Sequence, residues 1–233
     1  MSSLALRCLA LLCMLVDHAG LALFPNIGAF RCVGRLAFPV FCFLLTQGFL
    51  HTRDLRAYMR RLTLFAILSE IPFDLLTFGH VSMLEQNGLF SLLLGLLALY
   101  GARTLRKKPE QITIYTVLLM MIAMSIRVSF GWLSIALCLC FYYYRNNRLH
   151  MSFCAGLILA VYSMSLQLSG VALSWVLVSL CSLLALPFLF LYSGRRGTAT
   201  PLLSLLFYSA YPLHMLALFL LRMLRIIPPN FLH

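Results

Sequence analysis

Apolar residues run in long blocks along this chain, separated by short polar or basic connections. The blocks fall at about 4–24, 33–50, 58–79, 88–104, 112–126, 129–144, 150–167, 171–192 and 201–225. Most approach the ~20 residues that a helix needs to cross the hydrocarbon core of a bilayer. The pattern predicts an all-α, polytopic integral membrane helix bundle of about nine transmembrane helices, with residues 1–233 forming one domain. The fifth and sixth blocks are short and flank Arg127, so they read as a tight hairpin or as a miscounted region.

Composition agrees with this reading. Hydrophobic residues make up 62% of the chain and charged residues 10%, with a mean hydropathy of +0.96. A soluble globular domain carries nearer 25% charge. The first block holds Asp17 and His18 and lacks a small-residue cleavage site, so it is expected to stay in the membrane as a helix.

A net charge of +12 would point to nucleic acid in a soluble protein. Here the cations lie in the connections, where they set orientation. Thirteen of the 18 Lys and Arg residues lie at the N-terminus and in the even-numbered connections. These include Arg7, Arg53, Arg56, Arg60, Arg61, Arg195 and Arg196, whereas Arg31, Arg35, Arg127, Arg222 and Arg225 fall on the other side. The positive-inside rule places the first set, and the N-terminus, in the cytoplasm.

Against this background the intramembrane polar residues stand out. An uncompensated charge at the bilayer centre costs about 2.5–3.5 kcal/mol on insertion scales, so such groups are paired or used. Asp17 and His18 fall in the outer half of the first helix, Arg35 opens the second, Glu70 and Asp74 end the third, and Gln86 and Asn87 begin the fourth. This placement predicts one polar cluster near the outer leaflet, read as an active site.

Arg7 and His18 are eleven residues apart, about 16 Å of helix rise on one face. That layout suits a long phosphorylated donor, although Arg7 as a snorkelling anchor explains it equally simply. His18 is the one side chain of the first block able to act as a base near neutral pH; a structural histidine bonded to a carbonyl is the alternative. Asp17 either orients another group or pairs with Arg35. Glu70 and Asp74 share a helix face across Pro72, whose missing N–H is tolerated where a cavity is lined. They serve either proton handling or neutralisation of Arg35. His51, Arg53, Arg56, Arg60 and Arg61 form a basic strip that either anchors the chain or grips an anionic ligand. Tyr208, Tyr211 and His214 bring a second histidine into the last block, where it completes the site or packs. The eight cysteines read as small packing residues, and no metal site is expected.

Several segments carry a resemblance. Met14-Leu-Val-Asp-His18, Gly34-Arg-Leu-Ala-Phe-Pro39, Gly48-Phe-Leu-His-Thr-Arg53, Ser69-Glu-Ile-Pro-Phe-Asp74 and Gln86-Asn87 resemble the TraX family. Leu191-Tyr-Ser-Gly-Arg-Arg-Gly197 and Tyr208…Tyr211-Pro-Leu-His214 extend the similarity nearly end to end. The family is associated with N-acetylation of conjugative pilin and is distantly similar to acyltransferase-3 membrane enzymes, whose first helix carries an Arg…His pair. Ser129-Phe-Gly131 departs from the Asp-Tyr-Gly that the family tends to carry, so a carboxylate expected there is absent.

The resemblance implies a membrane acetyltransferase in the bacterial cytoplasmic (inner) membrane, taking acetyl-CoA from the cytosol to an amine or hydroxyl acceptor such as a pilin N-terminus. On this reading Arg7, His51, Arg53, Arg60 and Arg61 hold the donor, and His18 is the base, with Asp17, Arg35, Glu70 and Asp74 around it. Gln86, Asn87, Tyr211 and His214 orient the acceptor. A small-solute or proton-coupled transporter is the alternative, because intramembrane carboxylates and a proline-broken helix suit it too. A structural membrane subunit leaves the clustered charges unexplained.

Overall fold

In the computed structural model, residues 1–195 and 201–224 are described; Arg196, Gly197 and Arg225 of the sequence reading lie outside them. Eleven α-helices are present among these residues: α1 (Ser3–Leu23), α2 (Gly28–Gly34), α3 (Ala37–His51), α4 (Leu55–Phe78), α5 (Gly88–Thr104), α6 (Pro109–Ser125), α7 (Leu133–Tyr143), α8 (Arg148–Leu168), α9 (Leu173–Leu180), α10 (Leu186–Phe190) and α11 (Pro201–Met223). A short 3₁₀ turn, Cys181–Ala185, joins α9 to α10. Every apolar block of the sequence falls on helix.

Local chemistry sets the boundaries. Ser2, Asp54, Asn87 and Asn147 cap α1, α4, α5 and α8, each side chain accepting from a backbone N–H of the first turn. α4 stops at Gly79, whose φ of +77° is the left-handed closure that glycine adopts freely. The connection from α6 to α7 is a tight hairpin: Arg127, Phe130 and Gly131 all have positive φ, and Val128 pairs with Gln86 in an isolated bridge.

α3 is the axis of the bundle. Phe38, Val40, Phe43, Leu45 and Phe49 are all buried, and α1, α5 and α7 pack around them. The surface is the inverse of a soluble one. Leu64, Ile67, Leu68 and Ile71 on α4, and Leu157, Val161 and Met164 on α8, are more than half exposed at helical spacing. Apolar stripes of this extent belong against lipid.

By length and composition five segments can cross a membrane: Ser3–Leu23, Gly28–His51, Arg148–Leu168, Leu173–Phe190 and Leu205–Met223. α4 has 24 residues but carries Arg56, Arg60, Arg61, Glu70 and Asp74; α5 and α6 have 17 residues each and α7 has 11. With α2–α3 and α9–α10 each taken as one continuous segment, nine helical segments are present among the described residues, and five of them meet the length and polarity of an independent span. α5 and α7 pack against α3, whereas α4 packs on α11 and α5, and α6 packs on α5 with most of its apolar side chains left exposed.

Candidate active site

α1, α3, α4, α5 and α11 enclose a cavity of about 1070 Å³. Arg7, His51 and Arg61 lie at one end, Asp17, His18, Arg31 and Arg35 at the other. The wall between is aromatic and aliphatic, with Met14, Phe41, Leu44, Phe65 and Tyr208. Arg7 and His18 stand on the same helix, three turns apart, which is why one cavity meets both.

His18 is held by a residue 196 positions away. Its Nδ1 lies 2.7 Å from Nε2 of His214, and His214 Nδ1 lies 2.6 Å from the Ala210 carbonyl. A carbonyl only accepts, so neutral His214 carries its proton on Nδ1 and leaves Nε2 as an acceptor. His18 then donates from Nδ1, and its Nε2 lone pair is left free. This chain of two imidazoles fixes the tautomer in which His18 is a base. Tyr211 packs edge-on to both rings, at 6.1 Å from His18 and 5.9 Å from His214. Its hydroxyl accepts from Gly88 N–H at 3.3 Å, and its ring lines the cavity.

Beside His18, Asp17 joins two arginines. Its Oδ2 is 2.9 Å from Arg31 Nη1, and its Oδ1 is 3.7 Å from Arg35 Nη2. Arg31 Nη1 also donates to the Asp17 carbonyl at 3.1 Å. Arg31 was read from the sequence only as a boundary charge. A signal was present, since a cation that follows a carboxylate across a short turn at Pro25-Asn26 folds back onto it.

The carboxylates of α4 are placed elsewhere, which sets aside the alternative that they neutralise Arg35. Asn87 donates to Glu70 Oε2 from both its amide Nδ2 and, at 3.4 Å, its backbone N–H. Asp74 Oδ2 accepts from Ser82 N–H at 2.9 Å. Both side chains therefore clamp the connection 79–87 and the start of α5, and neither lines the cavity. Asn87 is fully buried, donates to the Ala66 carbonyl at 2.8 Å and caps α5 through Oδ1, so both its amide donors are taken and it does not line the cavity. Gln86 works through its backbone: its carbonyl takes the Ser129 N–H and hydroxyl at 2.8 and 2.9 Å. Ser129, at the position where a carboxylate was expected, does line the cavity.

The basic strip divides as well. Arg61, His51 and Arg7 line the cavity, whereas Arg53 and Arg60 do not. A helix turns 100° per residue, so Arg60 and Arg61 cannot face one way. His214 backs His18 and does not line the cavity. Among the described residues no group of three His, Cys, Asp or Glu is placed to hold a metal ion.

These features define a polytopic helical membrane protein whose cavity meets a guanidinium–carboxylate cluster and a histidine backed by a second histidine. The chain belongs to the TraX family: the model described as TraX protein matches residues 2–222. It is 35% identical over 126 residues to a probable fimbrial assembly protein, FimC of serogroup H1, from Dichelobacter nodosus, covering 48% of this chain and 51% of that one. It is 46% identical over 44 residues to an uncharacterised protein of Rickettsia prowazekii (strain Madrid E), covering 19% of this chain and 18% of the other. The matches thus span about half the length of the fimbrial protein and less of the second. No solved structure matches the chain.

Proposed function

We propose that the chain is a membrane acetyltransferase that moves an acetyl group from acetyl-CoA to an amine or hydroxyl acceptor, a pilin N-terminus being one candidate given the family and the fimbrial relative. The N-terminus and the Arg7 mouth of the cavity face the cytoplasm of the inner membrane on the positive-inside count. One observation carries the reading: a single cavity joins the Arg7–Arg61 mouth to His18, whose Nε2 is left as a base by the His214–Ala210 chain.

The phosphates of the donor rest on Arg7 and Arg61, with His51 beside them, and the pantetheine arm runs along the apolar wall. His18 Nε2 accepts the proton of the acceptor nucleophile as it attacks the thioester carbonyl carbon. The guanidinium groups of Arg31 and Arg35 offer N–H donors beside the developing oxyanion. Collapse breaks the C–S bond; the thiolate takes the proton from His18 and leaves as free CoA. The protein holds no covalent acyl group in this scheme.

The test is acetyl-CoA binding and slow hydrolysis by the purified full chain in detergent, comparing wild type with His18→Ala and Arg61→Ala. The expected result is loss of turnover with retained binding in His18→Ala, and weakened binding in Arg61→Ala. A folded wild type that binds no acetyl-CoA overturns the proposal and favours the transporter reading.

A further inference from the structure

Asp17 is shared by two guanidinium groups, so this cluster carries one more positive charge than negative. Arg31 takes the better geometry, with Nη1 2.9 Å from Oδ2 and 3.1 Å from the Asp17 carbonyl. Arg35 is left with an ion pair at 3.7 Å, beyond hydrogen-bond length. Its side chain is only 20% exposed, and its Nε is buried without a partner. Among the described residues no other carboxylate lies within 4.0 Å of either guanidinium. Glu85, the other acid on the cavity wall, is exposed and joins neither of them.

Arg35 also stands between two chambers. A second cavity of about 190 Å³ lies behind it, with Trp175, Val171, Ser179 and Ser182 among its lining residues. Arg35, Phe38, Phe130 and Tyr162 line both cavities. Phe38 and Phe130 stack with ring centroids 3.7 Å apart, and the Phe130 ring lies 5.9 Å from the Arg35 guanidinium carbon. Trp175 lies 5.7 Å from that of Arg31. The small chamber is thus an aromatic box whose cationic wall is a guanidinium with unused donors. Arginine offers five N–H donors in a planar fork that fits carboxylate and phosphate oxygens in pairs.

The geometry points to an oxyanion subsite here: the molecule that meets His18 carries a carboxylate or phosphate that turns into the small chamber and seats on Arg35. This deepens the acetyl-transfer reading and rests on it for calling that molecule the acceptor; the anion site itself does not need that reading. An uncharged acceptor leaves the Arg35 donors unpaired in apolar surroundings, so the chamber selects acceptors with an anionic group a few bonds from the nucleophile.

The chain's two tryptophans report on this chamber. Trp175 is on its wall, and Trp132 packs edge-on to Tyr162 at 5.7 Å. The test is titration of the detergent-purified full chain with inorganic phosphate, and separately with succinate, at ionic strength held constant with chloride, reading intrinsic fluorescence. Wild type is expected to show a saturable change. Arg35→Gln is expected to weaken it at least tenfold, and so is Val171→Phe, which fills the chamber and leaves Arg35 in place. Arg103→Gln, which stacks on Phe49 elsewhere, is expected to bind like wild type. A response to phosphate alone assigns a phosphorylated acceptor, and one to succinate alone a carboxylate; either supports the subsite.

No saturable change beyond the chloride control overturns the subsite, as does wild-type binding by Arg35→Gln. Loss in Arg35→Gln with full retention in Val171→Phe also overturns it, because the anion would then sit in the main cavity. Anion binding alongside absent His18-dependent turnover retires acetyl transfer and leaves the subsite standing.

Discussion

A Cβ on residue 34 would fall inside the carboxylate of Asp17: Gly34 is the floor on which Asp17 lies. The contact lets α2 approach α1 closely enough for Arg31 and Arg35 to reach one carboxylate from the same side. Gly34→Ala is expected to push Asp17 aside and part both ion pairs. Overpacking costs about 1–3 kcal/mol, so the melting temperature in detergent should fall, and the acetyl-CoA hydrolysis rate should fall with it. An unchanged melting temperature would show that the floor yields.

His214 is expected to act on rate through His18. In His214→Ala the His18 ring loses the acceptor that fixes its tautomer. Outer partners that orient a metal-ligating imidazole are typically worth about 10–100-fold; a loss of that order in kcat for acetyl-CoA hydrolysis is expected here, while donor affinity stays. His214→Gln, whose amide oxygen can accept from His18, should recover part of the rate. Stopped assays at several donor concentrations separate the two parameters.

The two arginines at the mouth should part company with those of the exposed strip. A hydrogen bond to a charged group is worth about 1.5–3 kcal/mol, so Arg7→Ala and Arg61→Ala should each weaken acetyl-CoA binding by tenfold or more. Arg53→Ala and Arg60→Ala should change it less than about twofold, the ordinary yield of surface charge. Equilibrium binding on the four variants decides it.

Asn87→Ala should harm the fold and spare the chemistry. It removes the α5 cap and leaves a Glu70 oxygen without its donor. Roughly 2–4 kcal/mol of stability should be lost, while turnover per folded molecule stays near wild type. Glu70→Gln should destabilise less, because its amide oxygen still accepts from Asn87.

The sequence reading found the helices because lipid demands long apolar blocks, and it found Asp17, His18, Arg35 and Tyr211 because polar groups within such blocks need partners. The partners of Glu70 and Asp74 are not legible for an equally physical reason. A buried carboxylate is readily satisfied by backbone N–H groups, and the donors here, Ser82 and Asn87, lie eight and 17 residues further along. Spacing along one helix says nothing about such loops. The bond between His18 and His214 joins the first helix to the last and depends on packing that no local pattern encodes. The number of spans is not legible from apolarity alone, which records burial in lipid and burial in protein alike: α7 is buried against α3 and α5, whereas α6 leaves most of its apolar side chains exposed.

α7 is too short to cross a bilayer by itself. Its 11 residues rise about 16 Å, against about 30 Å of hydrocarbon in an ordinary bilayer. α7 runs alongside α3, with Phe130 just before it on Phe38 and Tyr142 near its end against Phe49. α7 therefore covers about half of the hydrocarbon depth, and the hairpin before it takes its backbone partners from protein: Ser129 N–H donates to the Gln86 carbonyl and Gln86 N–H to the Arg127 carbonyl.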